Sequence, residues 1–259
     1  MEDLIIVKVG GKVVEEKESL NLLLNDFAKL PCPKILVHGG GRSATAMAQR
    51  MGVETKMAEG RRITDADMLE VVTMVYGGLV NRNLVANLQA HGVNAIGLTG
   101  ADMNIIESVK RPKKEIDYGY VGDVVKVNEK ALATLLKNRS VPVIAPLTHD
   151  GKGQLLNTNA DTIAAAIATA ISSLYRVTLT YCFEFKGVMK NQDDPSSAIP
   201  LITPDLYEKL KQDNIVAGGM IPKLDNSFSA IKKGVFQVRI TDREGLGNMD
   251  SGTYIRQAQ

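Results

Sequence analysis

Stretches of bare backbone lie beside a positive charge at Lys8-Val-Gly10-Gly11, Gly39-Gly40-Gly41-Arg42 and Gly218-Gly219-Met-Ile-Pro-Lys223. Successive N–H groups without side chains can close around an anion, and a lysine beside them adds a compact charge, so these stretches are suited to handling phosphate. Asn157-Thr-Asn159-Ala-Asp161 sets two amides and an acid at the start of an alanine-rich helix candidate. There the helix dipole keeps Asp161 ionised. Gly60-Arg61-Arg62-Ile-Thr64 offers guanidinium groups that can take a carboxylate with two bonds. Taken singly, each stretch also reads as something ordinary: a surface turn, an N-cap acid, a helix-capping lysine, a solvated basic pair.

These residues need elements to hold them. Leu4 to Val9, Lys34 to Val37, Ala95 to Leu98, Val141 to Ala145, Arg176 to Thr180 and Phe236 to Ile240 are short β-branched runs and read as strands. Amphipathic patterns at Ser19 to Leu30, Ser43 to Met51, Asp65 to His91 and Asn128 to Asn138 read as helices, and Ala160 to Leu174 as a buried one. This alternation predicts an α/β fold, a three-layer αβα sandwich with a mostly parallel central sheet. In such sheets ligands bind at the carboxyl ends of strands, where the first two glycine turns fall.

Several phosphate-binding classes are excluded. The Walker pattern is absent, and so are the protein-kinase motifs. Gly39 to Ala44 matches G-x-G-x-x-A, but a dinucleotide fold needs an acid at the end of the next strand, and Glu54 to Thr64 does not read as a strand.

Composition narrows the class further. The chain has 259 residues, 44% hydrophobic, 23% charged and 5% aromatic, with a net charge of +2. Its longest basic cluster is Lys110 to Lys114, so nothing argues for a nucleic-acid partner. The Ala160 to Leu174 run falls short of the roughly 20 apolar residues of a membrane span. Acids at Glu2 and Asp3 are unlike a secretory leader, and Cys32 and Cys182 lack metal-ligand neighbours, so a cytoplasmic protein with reduced thiols is expected.

Together and in this order, Lys8-Val-Gly-Gly, Val37-His-Gly-Gly-Gly, Gly60-Arg-Arg-Ile-Thr, Tyr118-Gly-Tyr-Val-Gly-Asp123, Asn157-Thr-Asn-Ala-Asp and Gly218-Gly-Met-Ile-Pro-Lys resemble the amino-acid kinase family over nearly the whole chain. The Gly-Arg-Arg-Ile-Thr and Asn-Thr-Asn-Ala-Asp elements resemble its acylglutamate branch. That resemblance implies ATP-dependent phosphorylation of the γ-carboxylate of N-acetyl- or N-succinyl-L-glutamate to an acyl phosphate, in arginine biosynthesis; the alternatives are a phosphotransferase of the same superfamily acting on carbamate, UMP or aspartate, which Arg62 with Asn157 disfavours, and a noncatalytic amino-acid sensor on the same fold, against which Lys8, Asp161 and Lys223 together argue. It implies an N-terminal lobe, 1–175, for acylglutamate and dimerisation, and a C-terminal lobe, 176–259, for ATP, with Mg²⁺ arriving on the nucleotide. By the same resemblance Lys8, Lys223 and Asp161 are catalytic, with Asp161 holding both lysines. Gly40, Gly41, Arg62 and Asn157 bind the substrate, Arg62 at its α-carboxylate and Asn157 at its acylated amine. Gly10, Gly11, Gly218 and Gly219 bind phosphate. A glutamate carboxylate is ionised at neutral pH, so no general base is needed and His38, His91 and His149 are free to be structural.

The chain departs from the family in places. Leu179-Thr-Tyr181-Cys182-Phe-Glu184 stands where an aspartate is expected, and the stretch after Gly234 leaves little room for the usual helix. A strand beginning by Leu4 predicts a homodimer insensitive to arginine. Arg61 replaces a usual apolar residue and Arg42 follows the glycines, so either could meet the distal carboxylate of a succinyl group, or turn to solvent or to an acid such as Glu59.

Overall fold

The computed structural model describes residues 1–10, 16–191, 194, 197–216 and 220–257. Gly11, Gly218 and Gly219 lie outside the described residues. The strands are β1 (Glu2–Val9), β2 (Lys34–His38), β3 (Met57–Ala58), β4 (Arg61–Arg62), β5 (Ala95–Leu98), β6 (Ile106–Lys110), β7 (Gly122–Val127), β8 (Val141–Ile144), β9 (Leu147–His149), β10 (Leu155–Asn157), β11 (Tyr175–Cys182), β12 (Leu201–Ile202), β13 (Gln237–Thr241) and β14 (Thr253–Ile255). The α-helices are α1 (Lys17–Lys29), α2 (Gly41–Arg50), α3 (Ala66–Val72), α4 (Asn81–Ala90), α5 (Glu129–Lys137), α6 (Ala160–Ile171), α7 (Pro204–Gln212), α8 (Met220–Lys232) and α9 (Arg243–Leu246).

An eight-stranded sheet runs in the order β12-β14-β13-β11-β1-β2-β8-β5. Its neighbours are parallel except β13 and β14. Side chains alternate across β1, so Leu4 and Ile6 enter one core while Ile5, Val7 and Val9 enter the other. The first core is closed by α5, α6, α7 and α8, and the second by α1, α2, α3 and α4. The sandwich expected from the alternating pattern is therefore present. Period two also assigns Lys8 to the Leu4 face, towards α6 and α8.

Two features depart from the sequence reading. The helix expected over Asp65 to His91 is interrupted: Asp65 caps α3 by accepting from Met68 N–H, Thr73–Val80 takes the wider π form, and α4 follows. A second sheet, β10-β9-β6-β7, and the two-residue hairpin β3-β4 rise from segments that have no periodic run long enough to read. Strands this short are held by their neighbours more than by their own propensity. No helix among the described residues is long and apolar enough to cross a membrane.

Candidate active site

Lys8 is the penultimate residue of β1, paired with Val37 on one side and Tyr181 on the other. The glycine turn after β2 and the segment after β11 therefore flank it at the carboxyl edge of the sheet. Its Nζ lies 2.8 Å from Asp161 Oδ1, and only 9% of the lysine side chain is exposed. Asp161 is the second residue of α6, whose N-cap Asn159 accepts from Thr162 N–H. Asp161 Oδ1 is buried and has no hydrogen bond, so the contact is an ion pair off the hydrogen-bonding direction. A methyl group on Gly10 would stand 3.1 Å from Lys8 Nζ, which shows why bare backbone follows β1.

Lys223, in the first turn of α8, is half-buried, with Nζ 4.0 Å from the centre of the Phe183 ring. Lys8 Nζ is 5.2 Å from the same ring. Burial holds the Lys223 ammonium below the ordinary lysine range; Asp161 opposes that shift and Lys8 adds to it. Asp161 was expected to hold both lysines, yet among the described ion pairs it contacts Lys8 and not Lys223, which rests on the aromatic ring. Phe183, two residues after Tyr181, was not singled out in the sequence. Its only signal was its place just beyond the strand read over Arg176 to Thr180, at the carboxyl end where ligands bind.

In front of these charges lies a cavity of about 720 Å³, whose wall includes Lys8, Gly10, Gly40, Gly41, Asn157 and Asp161. Gly40 is the N-cap of α2, with φ +155, and a Cβ there would meet Tyr76 Cδ1 at 2.9 Å. Gly41 has nothing within 4 Å of its Cβ position. The two glycines are thus bare for different reasons, one for packing and one to leave the cavity open. Gly40→Ala is expected to lower stability by about 1–3 kcal/mol through the Tyr76 clash and the unfavourable φ. Gly41→Ala is expected to leave Tm unchanged and to impair catalysis. Thermal melts beside steady-state kinetics check both, and equal melting losses would contradict the distinction.

Arg62 and Asn157 also reach the cavity wall. Arg62 is 9% exposed, and its terminal nitrogens face protein acceptors: Nη2 donates to Gly41 O at 2.8 Å and Thr45 Oγ1 at 2.7 Å, and Nη1 to Thr55 Oγ1 at 3.3 Å. In this arrangement it braces the start of α2. Asn157 Nδ2 donates to Thr64 Oγ1 at 2.9 Å. Arg42, Arg61 and Arg111 complete the positive lining, and Arg111 is held by Asp123 with Nε at 3.1 Å from Oδ1. Asp123 raises the Arg111 pKa, so that guanidinium is fixed and charged. Neither this pair nor Tyr76 was foreseen. Among the described residues no group of three His, Cys, Asp or Glu side chains could hold a metal.

A cationic cavity at the strand ends is suited to bringing anions together, and the chain belongs to the amino acid kinase family, whose profile matches residues 3–242. Within that family it is similar to the acetylglutamate kinases of Phocaeicola vulgatus, 62% identical over 98% of this chain and 99% of that one, and of Bacteroides thetaiotaomicron, 60% identical over the same shares. Among solved structures it resembles the N-acetylglutamate synthase of Neisseria gonorrhoeae, with a TM-score of 0.82 at 20% identity over 99% of this chain and 60% of that one. Carbamate kinase from Giardia lamblia superposes with a TM-score of 0.70 at 13% identity over 98% of each chain. These two likenesses concern the fold alone.

Proposed function

We propose that this chain is an acetylglutamate kinase, transferring the γ-phosphoryl of ATP to the γ-carboxylate of N-acetyl-L-glutamate in arginine biosynthesis. The observation that carries the reading is the convergence of the Lys8–Asp161 pair and Lys223 on one ring, under a cavity lined by Gly40 and Gly41. A carboxylate oxygen attacks the γ-phosphorus as the bond to the β–γ bridging oxygen breaks, leaving ADP and an acyl phosphate. The nucleophile is already an anion, so catalysis consists of alignment and neutralisation of charge. Lys8 meets the transferring group from the acceptor side and Lys223 from the leaving side. The N–H groups of Gly40 and Gly41 donate to the moving oxygens, with Gly10, Gly11, Gly218 and Gly219 on the nucleotide phosphates. Arg62 exchanges protein acceptors for the α-carboxylate, and Asn157 meets the acylated amine. Acylglutamate occupies 1–175 and ATP 176–259. The donor set around the cavity is cationic, which fits phosphate oxygens, and Mg²⁺ travels on those oxygens. We further propose a cytoplasmic homodimer, checked by light scattering.

A second reading concerns the acyl group. Glu59, the acid that could have neutralised Arg61, instead accepts from Tyr118 Oη at 3.1 Å. Arg61 is exposed, and its side chain makes no ion pair or hydrogen bond among the described residues. It lines both the 720 Å³ cavity and an adjoining one of about 590 Å³. That observation favours N-succinyl-L-glutamate, whose extra carboxylate suits an unengaged guanidinium. ADP release measured with acetyl- and succinyl-glutamate side by side tests both readings, and no turnover with either overturns them.

The depressed Lys223 ammonium has a consequence for pH. The protonated form serves the phosphate, so activity is present below the lowered pKa and lost as pH rises through it. The alkaline limb of kcat/KM, which reports the free enzyme, is expected below the ordinary lysine value of 10.5, because burial disfavours the charge. Lys223→Arg, always protonated, should remove that limb from the profile; a limb unchanged in this variant would assign it elsewhere.

A further inference from the structure

Four of the six backbone groups of the triple glycine are in use. Gly39 N–H donates to Val9 O at 3.1 Å, and Gly40 O accepts from Ala44 N–H at 2.9 Å. Gly41 O accepts from Arg62 Nη2 at 2.8 Å, and Gly39 O lies 2.6 Å from His38 Nδ1. The N–H groups of Gly40 and Gly41 make no bond among the described residues.

His38 ends β2 with none of its surface exposed. Its Nε2 lies 3.1 Å from Asn81 Nδ2, which also donates to Val143 O at 2.9 Å. An amide nitrogen only donates, so Nε2 accepts, the ring proton resides on Nδ1, and Nδ1–H donates to Gly39 O. Exchanging the Asn81 oxygen and nitrogen would set oxygen against the Val143 carbonyl. Asn81 Oδ1 is itself buried without a partner, packed where a Cβ on Gly97 would stand 2.0 Å away. Such a pair costs stability and needs a reason beyond packing.

We propose that His38 and Asn81 are positioning residues that aim the Gly40 N–H at the transferring phosphoryl group. In a planar trans peptide the carbonyl and the following N–H point in opposite directions. Drawing the Gly39 carbonyl to the buried imidazole turns the Gly40 N–H away from it, towards the cavity that Gly39, Gly40 and Gly41 line. A peptide between two glycines has little steric resistance to turning over, and the reversed orientation would offer an oxygen to an anion. The relay removes that orientation. The inference rests on the phosphotransfer reading.

His38→Asn and His38→Gln test it, because both remove the ring but replace different nitrogens. The asparagine amide falls near the former Nδ1 and can still donate to Gly39 O, while the glutamine amide reaches towards Asn81. His38→Asn is expected to keep kcat within about threefold, and His38→Gln to lower it about tenfold or more with KM within about threefold, as for a misplaced oxyanion donor. Equal losses in both, or a loss carried by KM, would overturn the proposal. Imidazole ¹⁵N NMR of the parent protein gives a readout independent of turnover and of variant folding: the Nδ1–H tautomer of His38 supports the relay, and the Nε2–H tautomer ends it. A parent without kinase activity would remove the phosphotransfer reading, while the tautomer still judges the relay.

Discussion

Lys8→Ala and Lys223→Ala are each expected to lower kcat by about 10²-fold or more while KM for both substrates changes little. The expectation follows because charge on the γ-phosphoryl and the leaving oxygen is best aligned with these ammonium groups in the transition state, and interactions made only there appear in kcat. Lys8→Met, which keeps the stem of the side chain, should behave like the alanine variant. Asp161→Asn should also reduce kcat, since it frees the Lys8 ammonium from the contact at 2.8 Å. The couplings should differ. Lys8 and Asp161 touch, so their double variant is expected to fall short of additivity by about 0.5–3 kcal/mol. Lys223 is held over Phe183 and lacks that contact, so its coupling to Asp161 should be smaller. Purely KM-based losses, or equal couplings, would remove these assignments.

The second large effect concerns Arg61. A charge-assisted bond to a distal carboxylate, worth about 1.5–3 kcal/mol, favours N-succinyl- over N-acetyl-glutamate by roughly 10- to 150-fold in kcat/KM. Arg61→Leu should abolish that ratio chiefly by lowering succinyl turnover, whereas Arg42→Ala should leave it in place. Arg111 is a weaker candidate because Asp123 already satisfies it with two oxygens. A parent enzyme that prefers the acetyl substrate, with a ratio unmoved by Arg61→Leu, ends the reading.

Much of this was legible in the sequence, and the failures have physical causes. Hydrophobic runs located the central strands to within a few residues because buried parallel strands are continuously apolar, as in β1, β2 and β8. The glycine turns pointed to the strand ends, and the cavity lies there. What could not be read depends on contacts between distant segments. The β10-β9-β6-β7 sheet is built from strands whose partners, not their patterns, define them. Phe183 is unremarkable until the lysines of β1 and α8 approach its ring, and Tyr76 until Gly40 does. His38 reads as a spare histidine beside glycines; only the position of Asn81, 43 residues away, fixes its tautomer.

The pairing of β1 with β11 bears on how the molecule can move. Glu2 to Val9 align residue for residue with Tyr175 to Cys182, so the boundary drawn between ligands at 175 and 176 crosses a continuous ladder of hydrogen bonds. Two halves joined in this way have no free linker to swing on, and any turn of one against the other has to be taken up as a change in the twist of their common sheet. The β3-β4 hairpin and the β6-β7 pair lie outside that ladder, so they can shift over a bound substrate without disturbing the strand that carries Lys8.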